Sequence, residues 1–252
     1  MAKQIGVMPV QGTIDNISYY KSKHGFMMRK KGGVSAERLA TDPAFARVRE
    51  TQQEFKRATR ASQLLREAIS GPLKGNSDTL MVSRLFKNMM KVIKTDPVNG
   101  RGLRTITDGN TTELRNFEFN IGSPFKTTLQ VAFTSVINRA TGDLSINLPG
   151  FIPEKGMYAP PEATHFVLTV AAVELDLTGE TYVSSEIDSA QIAITEVKTP
   201  DINLVAHVTP NSTHPLFLIV GIKFFTKILN GTVYPLNNNG YNALKIAEVS
   251  KV

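Results

Sequence analysis

The chain has 252 residues and no Cys, so the sequence excludes disulfides, thiolate nucleophiles and cysteine metal sites. A hydrophobic fraction of 41%, with 18 Gly and 13 Pro, is typical of folded globular proteins and excludes collagen-like or disordered chains. The net charge of +7 is unevenly distributed: residues 1–110 hold 20 Lys and Arg against 9 Asp and Glu, whereas residues 111–252 hold 9 against 13. This asymmetry indicates that the basic part meets nucleic acid, an anionic surface or an acidic protein.

The first predicted element is a β-hairpin. Residues 17–21 and 26–31 are rich in β-prone side chains and flank a polar turn that ends at Gly25. Gly32 and Gly33 follow the second strand and release the chain from the hairpin.

A long helix is predicted next. The sequence Thr41-Asp42-Pro43 supplies an N-cap candidate followed by Pro at the first helical position. Apolar and small residues then recur at three- and four-residue spacing up to Ile69, and Gly71-Pro72 ends the run. The basic residues Arg49, Lys56, Arg57 and Arg60 share one arc of this helix, although Glu50, Glu54 and Glu67 dilute it.

A second helix is predicted from a cap at Ser77 or Asp78 to about Lys94. It is amphipathic, with Met, Leu, Phe, Val and Ile on one broad face. Its opposite face carries only basic charge, from Arg84, Lys87, Lys91 and Lys94.

After residue 100 the helical periodicity gives way to short β-prone runs separated by Gly, Pro and Asn. Eight antiparallel strands are predicted there, near residues 116–121, 128–134, 143–148, 165–174, 191–196, 203–208, 216–226 and 243–249. The predicted fold class is therefore α+β, with an N-terminal hairpin and two helices followed by an antiparallel β-sandwich. We expect two domains, a basic hairpin and helical region at 1–105 and an all-β domain at 106–252.

The sequence shows no motif for catalysis. There is neither a phosphate-binding glycine loop nor a Gly-x-Ser-x-Gly elbow, and the four His residues have no metal-ligand spacing. The carboxylates of Glu174, Asp176, Glu180, Glu186 and Asp188 leave a calcium site open, although solvated strand edges explain them more simply. We therefore expect no enzyme, no cofactor and no metal. A sugar-binding module is disfavoured because the chain has no Trp.

The apolar segments of the sequence bear on where the protein is located in the cell. Residues 1–11 lack a signal-peptide core, and the strongest apolar run, residues 215–222, is far shorter than the ~20 residues of a membrane-spanning helix. We expect a cytoplasmic protein or a component of a particle assembled inside the cell.

The basic side chains are the candidate functional residues. The leading hypothesis is a non-enzymatic structural or interaction protein that docks an acidic protein, or another copy of itself, through its basic N-terminal helices. The alternative is a sequence-tolerant nucleic-acid binder that neutralises phosphates with the same residues, and membrane-surface binding by the second helix stays open. The candidates are Arg84, Lys87, Lys91 and Lys94, then Arg49, Lys56, Arg57 and Arg60, and in the hairpin Arg29, Lys30 and Lys31.

Several segments carry a resemblance. They are residues 12–21 (GTIDNISYYK), 28–33 (MRKKGG), 41–50 (TDPAFARVRE), 218–225 (LIVGIKFF) and 230–236 (NGTVYPL). Together they resemble a group of uncharacterised proteins of Bacteroidetes bacteria. The resemblance implies no activity and no site residue.

Overall fold

The structure is a computed structural model that describes residues 2–4, 10–30, 32–228, 231–236 and 240–251. It contains two compact units, Met1–Arg49 and Glu50–Val252. The helices are α1 Ala36–Thr41, α2 Ala46–Ala68, α3 Ser70–Leu73, α4 Met81–Lys94, α5 Phe125–Thr128 and α6 Pro153–Gly156, with 3-10 turns at Pro43–Phe45 and Thr111–Leu114.

The described strands pair only in antiparallel fashion. Helices and antiparallel sheets together make this an α+β protein. The strands are β1 Ala2–Lys3, β2 Gly12–Ile14, β3 Ile17–Ser22, β4 Gly25–Lys30, β5 Thr134–Asn138, β6 Asp143–Leu148, β7 His165–Asp176, β8 Thr181–Asp188, β9 Ile192–Ala193, β10 Ile202–His207, β11 Leu216–Lys227, β12 Val233–Pro235 and β13 Ala243–Ser250.

The first unit is built on a four-stranded sheet in the order β1-β4-β3-β2. β3 and β4 form a hairpin at the predicted position, with Ile17 opposite Lys30 and Ser22 opposite Gly25. Two further strands flank this hairpin, and α1 follows it, so the N-terminal order is richer than a hairpin and two helices. None of the unit's described residues is buried.

The second unit has a central six-stranded sheet, in which β7 and β11 pair along ten residue positions. β8 and β9 pair with the other edge of β7, and β12 and β13 with the other edge of β11. A separate three-stranded sheet has the order β10-β6-β5.

Both faces of the central sheet are covered. On one face Ala171, Val173 and Phe217 share a core with Leu65 of α2 and Leu85 of α4. On the other face alternate residues of β7 and β11 share a second core with β6 and β10, including Val170, Ala172, Leu218, Ile146 and Leu204. β7 and β11 therefore read as continuous apolar runs rather than alternating ones.

The observed units divide at residues 49 and 50, whereas the sequence predicted a boundary at 105 and 106. The physical reason is that α2 and α4 have no core of their own. Their apolar faces are buried against the central sheet, so most of the helical region and the strands share one core.

Asp42 caps the 3-10 turn Pro43–Phe45 by accepting a hydrogen bond from Ala44 N at 2.9 Å, and the long helix α2 begins after that turn, at Ala46. Thr41 is not the cap, because it is the last residue of α1. The second helix begins at Met81 rather than directly after Ser77 or Asp78; Asp78 instead accepts a hydrogen bond from Leu80 N at 2.8 Å in the preceding turn.

Strands were predicted correctly where the chain is buried, at β6, β7, β10, β11 and β13. The strand predicted at 128–134 is wrong: Thr128 ends the single turn α5, Leu129 forms only an isolated bridge with Met157, and the strand β5 begins at Thr134. Residues 116–121 form only an isolated bridge between Glu118 and Lys245, and residues 191–196 contain only the two-residue β9. The exposed strand β8 was missed.

We predict that Leu85→Ala lowers the free energy of unfolding by about 2–5 kcal/mol, because Leu85 is fully buried between α4 and the central sheet. Hydrogen exchange during denaturant titration should show amides of α4 and β11 losing protection in one transition. Val82→Ala is the control, since Val82 is 46% exposed on the same helix. Separate transitions for α4 and β11 would contradict the shared core.

Candidate functional site

The outer face of α4 is the cleanest basic surface. Met81, Leu85, Met89, Val92 and Ile93 are buried on the inner face, and the helical repeat turns the lysines outward. Lys87, Lys91 and Lys94 are exposed, and within the described part of the chain none of them has a hydrogen bond or ion pair. With no carboxylate in α4, their positive charge is uncompensated on this helix.

Arg84 does not belong to this free face. Its guanidinium forms an ion pair with Asp78 and donates hydrogen bonds to Glu118 O at 2.7 Å and Phe119 O at 3.3 Å. It also lies 5.1 Å from the ring centroid of Phe117. Arg84 thus ties α4 to the segment that bridges the central sheet, and its guanidinium is engaged within the fold.

Asp78 is held as a carboxylate by the same contacts. Burial by itself raises the pKa of Asp78, but hydrogen bonds from Ile121 N and Leu80 N, together with Arg84, outweigh burial and lower that pKa. The Arg84–Asp78 ion pair therefore stabilises the helical layer.

Most basic residues of α2 are also engaged. Arg49 donates to Leu39 O and Asp42 O, each at 2.9 Å, which satisfies carbonyls at the end of α1. Arg57 donates to Gly102 O at 2.8 Å and to Arg104 O at 3.1 Å.

Arg60 forms an ion pair with Glu180 at 2.8 Å, and it shares with Arg57 a cleft of about 510 Å³. Of the four candidates on α2, only Lys56 is exposed with no hydrogen bond or ion pair among the described residues. Among these four candidates, α2 therefore presents one exposed, unengaged cation, Lys56, rather than a basic arc.

In the hairpin, Arg29 lies 5.6 Å from the ring centroid of Tyr20, and Lys30 is exposed at the end of β4. Lys31 lies outside the described residues. These side chains belong to the first unit and form a basic surface that is separate from α4 along the chain.

An apolar groove lies between α2 and α4, with a volume of about 340 Å³. Phe55 and Phe86 both line it, and the centroids of their rings lie 4.3 Å apart. Phe55 is 52% exposed, and the buried Ser62 Oγ has no hydrogen-bond partner among the described residues. We call this the Phe55 groove; it is also lined by Thr59, Arg66, Thr79, Val82 and Ser83.

The sequence predicts an apolar face on each helix but does not show that these faces meet, so the pairing of Phe55 with Phe86 was not predicted. The available signal was the excess of apolar residues on α4, whose stripe extends through Val82 and Phe86 beyond what one sheet face covers.

Asp96 organises the loop after α4. Its carboxylate accepts hydrogen bonds from the backbone N–H groups of Val98, Asn99 and Thr105, at 2.8 to 3.0 Å. Burial raises the pKa of Asp96, but these bonds and that from the Asn99 amide hold the pKa well below its usual range.

Glu118 and Lys245 face each other across an isolated bridge. Burial raises the pKa of Glu118 and lowers that of Lys245. The Lys245 ammonium lies 5.1 Å from the centroids of both Phe125 and Phe133, and Glu118 accepts a hydrogen bond from Phe125 N at 3.1 Å. These contacts give the shifted groups a packing role beside α5.

Three of the carboxylates considered for a calcium site make hydrogen bonds or an ion pair with different partners. Glu174 accepts hydrogen bonds from Ser212 Oγ at 2.6 Å and from Thr209 N at 3.2 Å, Asp176 accepts from Thr178 N and Gly179 N in a turn, and Glu180 pairs with Arg60. In the described residues no group of three or more His, Asp and Glu side chains could hold a metal ion.

The fold and this face define an α+β protein with a basic helical surface beside an apolar groove. Comparisons with protein-family models, with curated proteins and with solved structures find no match to this chain. The resemblance to Bacteroidetes proteins therefore stays a prediction. No helix in the described ranges is both long enough and apolar enough to cross a membrane.

We predict that Arg84→Met lowers the free energy of unfolding by about 2–3 kcal/mol, because hydrogen bonds to a charged group are lost and Asp78 keeps a charge without its partner. Lys87→Met, on the exposed face, should change it by less than about 0.5 kcal/mol. Chemical denaturation of both variants measures the difference. Equal effects would place Arg84 on the free face with Lys87.

We predict that Asp96→Asn removes a pH-dependent part of the stability. A carboxyl with a lowered folded-state pKa stabilises the fold above its unfolded value of about 4, and that stabilisation is lost as the pH falls. The deficit of the Asn variant should therefore be largest near pH 7 and shrink toward pH 3. Denaturation midpoints across this pH range test it; a deficit independent of pH would contradict it.

Proposed function

We propose that this chain is a non-enzymatic structural or interaction protein of the cell interior, in which a β-sandwich body carries a basic helical face that docks an acidic protein or another copy. One observation supports this most directly. Lys87, Lys91 and Lys94 form an uncompensated basic row on α4, the helix that also forms one wall of the Phe55 groove.

The Phe55 groove favours a docking role for α4 over a face that is merely solvated. An exposed aromatic side chain beside an apolar groove is the usual anchor point of a protein interface, and surrounding charges select and orient the partner. Because the charges on α4 are all positive, the complementary partner is an acidic amphipathic segment with apolar residues for the groove.

Nucleic-acid binding is the second candidate, and the hairpin favours it. Lys21 lies 5.7 Å from the ring centroid of Phe26 on one face of the sheet, and Arg29 lies over Tyr20 on the other, so each face pairs a cation with an aromatic ring. Such a surface suits phosphates and stacked bases. On α4, by contrast, Phe86 contacts Phe55 rather than offering a free ring face.

We predict that a labelled helical peptide of alternating Leu and Glu faces binds the full chain, and that Lys87→Glu, Lys91→Glu and Lys94→Glu together weaken it at least tenfold. Three rim charges at about 0.5–1 kcal/mol each correspond to that loss. Fluorescence anisotropy measures Kd for this peptide and for a thymidine 20-mer across a salt series.

The matched control reverses three exposed lysines elsewhere, Lys155, Lys198 and Lys227, with the same change in net charge. Its Kd for the peptide should change less than about threefold, as expected for screened distant charges. If the peptide fails to bind while the oligonucleotide binds with a steep salt dependence, the nucleic-acid candidate replaces the proposed one.

A further inference from the structure

No described residue of the first unit is buried. Directly opposite residues of neighbouring strands point to the same side, so the register places Ile14, Ile17, Tyr19, Phe26 and Met28 on one face of its sheet. None of them is buried, and Ile14 is 58% exposed. A small sheet of this kind needs its apolar face covered to be stable, which indicates that a partner covers it.

The unit is also strongly basic. Residues 1–49 hold 9 Lys and Arg against 3 Asp and Glu. Lys21 and Lys30 lie on the apolar face itself, opposite Phe26 and Ile17. Two copies of this sheet would repel each other, so its partner surface is acidic as well as apolar.

Such a surface exists on the second unit, at the edge strand β8. In the described residues β8 pairs with β7 alone, and seven of its eight residues are exposed. Tyr182, Val183 and Ile187 are 41%, 46% and 39% exposed. We call this surface the β8 edge.

The charge of the β8 edge is the opposite of that of the first unit. β8 itself carries two carboxylates, Glu186 and Asp188, and residues 181–188 contain no Lys, Arg or His. Free edge strands in natural proteins are commonly protected by Lys, Pro or a bulge, and residues 181–188 contain neither Lys nor Pro. Apart from a hydrogen bond of 3.4 Å from His207 N of β10 to Ser185 Oγ, the outer edge of β8 pairs with no described strand, so it can act as a template for strands from another chain.

We propose that the N-terminal sheet of one copy docks on the β8 edge of a second copy. The contact joins two different surfaces, so each copy can give its sheet to one neighbour and accept a sheet from another. The chain would then assemble head to tail. This surface is distinct from the α4 face, and the proposal holds whether or not that face binds a partner.

The test uses full-length chains in which each half of the contact is blocked. Lys21→Glu with Lys30→Glu reverses the charge of the sheet face, and Val183→Lys with Ile187→Lys places cations on the β8 edge. Light scattering after size exclusion should show concentration-dependent oligomers for the unmodified chain and monomers for each double variant. Mixing the two variants should give a one-to-one heterodimer that grows no further, because one intact sheet meets one intact edge.

Val136→Lys with Val197→Lys is the matched control, because these exposed apolar residues lie outside β8 and are changed in the same way. It should assemble like the unmodified chain. Circular dichroism melts check that every variant folds. An unmodified chain that stays monomeric up to high concentration, or folded variants that assemble undiminished, would overturn the proposal. So would a mixture of folded variants that yields no heterodimer.

Discussion

Burial of β7 and β11 on both faces is the constraint on which the second unit depends. An antiparallel sheet needs only one covered face, yet here alternate residues such as Ala172 and Val173 enter two different cores. Polar substitution at either parity would expose an unpaired group to an apolar interior. The helices and the three-stranded sheet are therefore both obligatory layers, and neither is an appendage on an independent domain.

The sequence predicted the buried strands well because burial leaves a strong apolar signature. It placed β6, β7, β10, β11 and β13 close to their observed positions. It did not separate the two cores, since a continuous apolar run has no visible period and shows neither which layer lies on each side nor that the helices supply one of them. That gap led to the predicted boundary at residue 105.

Exposed elements were harder to predict for the opposite reason. β8 has no buried residue, so its alternation carries no hydrophobic signal, and the turn at α5 depends on hydroxyl hydrogen bonds to Pro124 O. Charge was misleading in a related way. Arg84 and Lys87 look alike on a helical projection, but Arg84 pairs with Asp78 and also reaches two carbonyl oxygens on a segment more than 30 residues away that the projection does not contain.

The two compact units differ in how much apolar burial offsets the conformational entropy that their chains lose on folding. The second unit buries large side chains such as Phe119, Phe166 and Phe217 within itself. The first orders four strands with no buried side chain among its described residues, so little apolar burial offsets the lost conformational entropy. In the proposed assembly, a second copy would supply the apolar contacts that the described residues of this sheet do not make among themselves, and the opposite charges of the two surfaces would favour that contact.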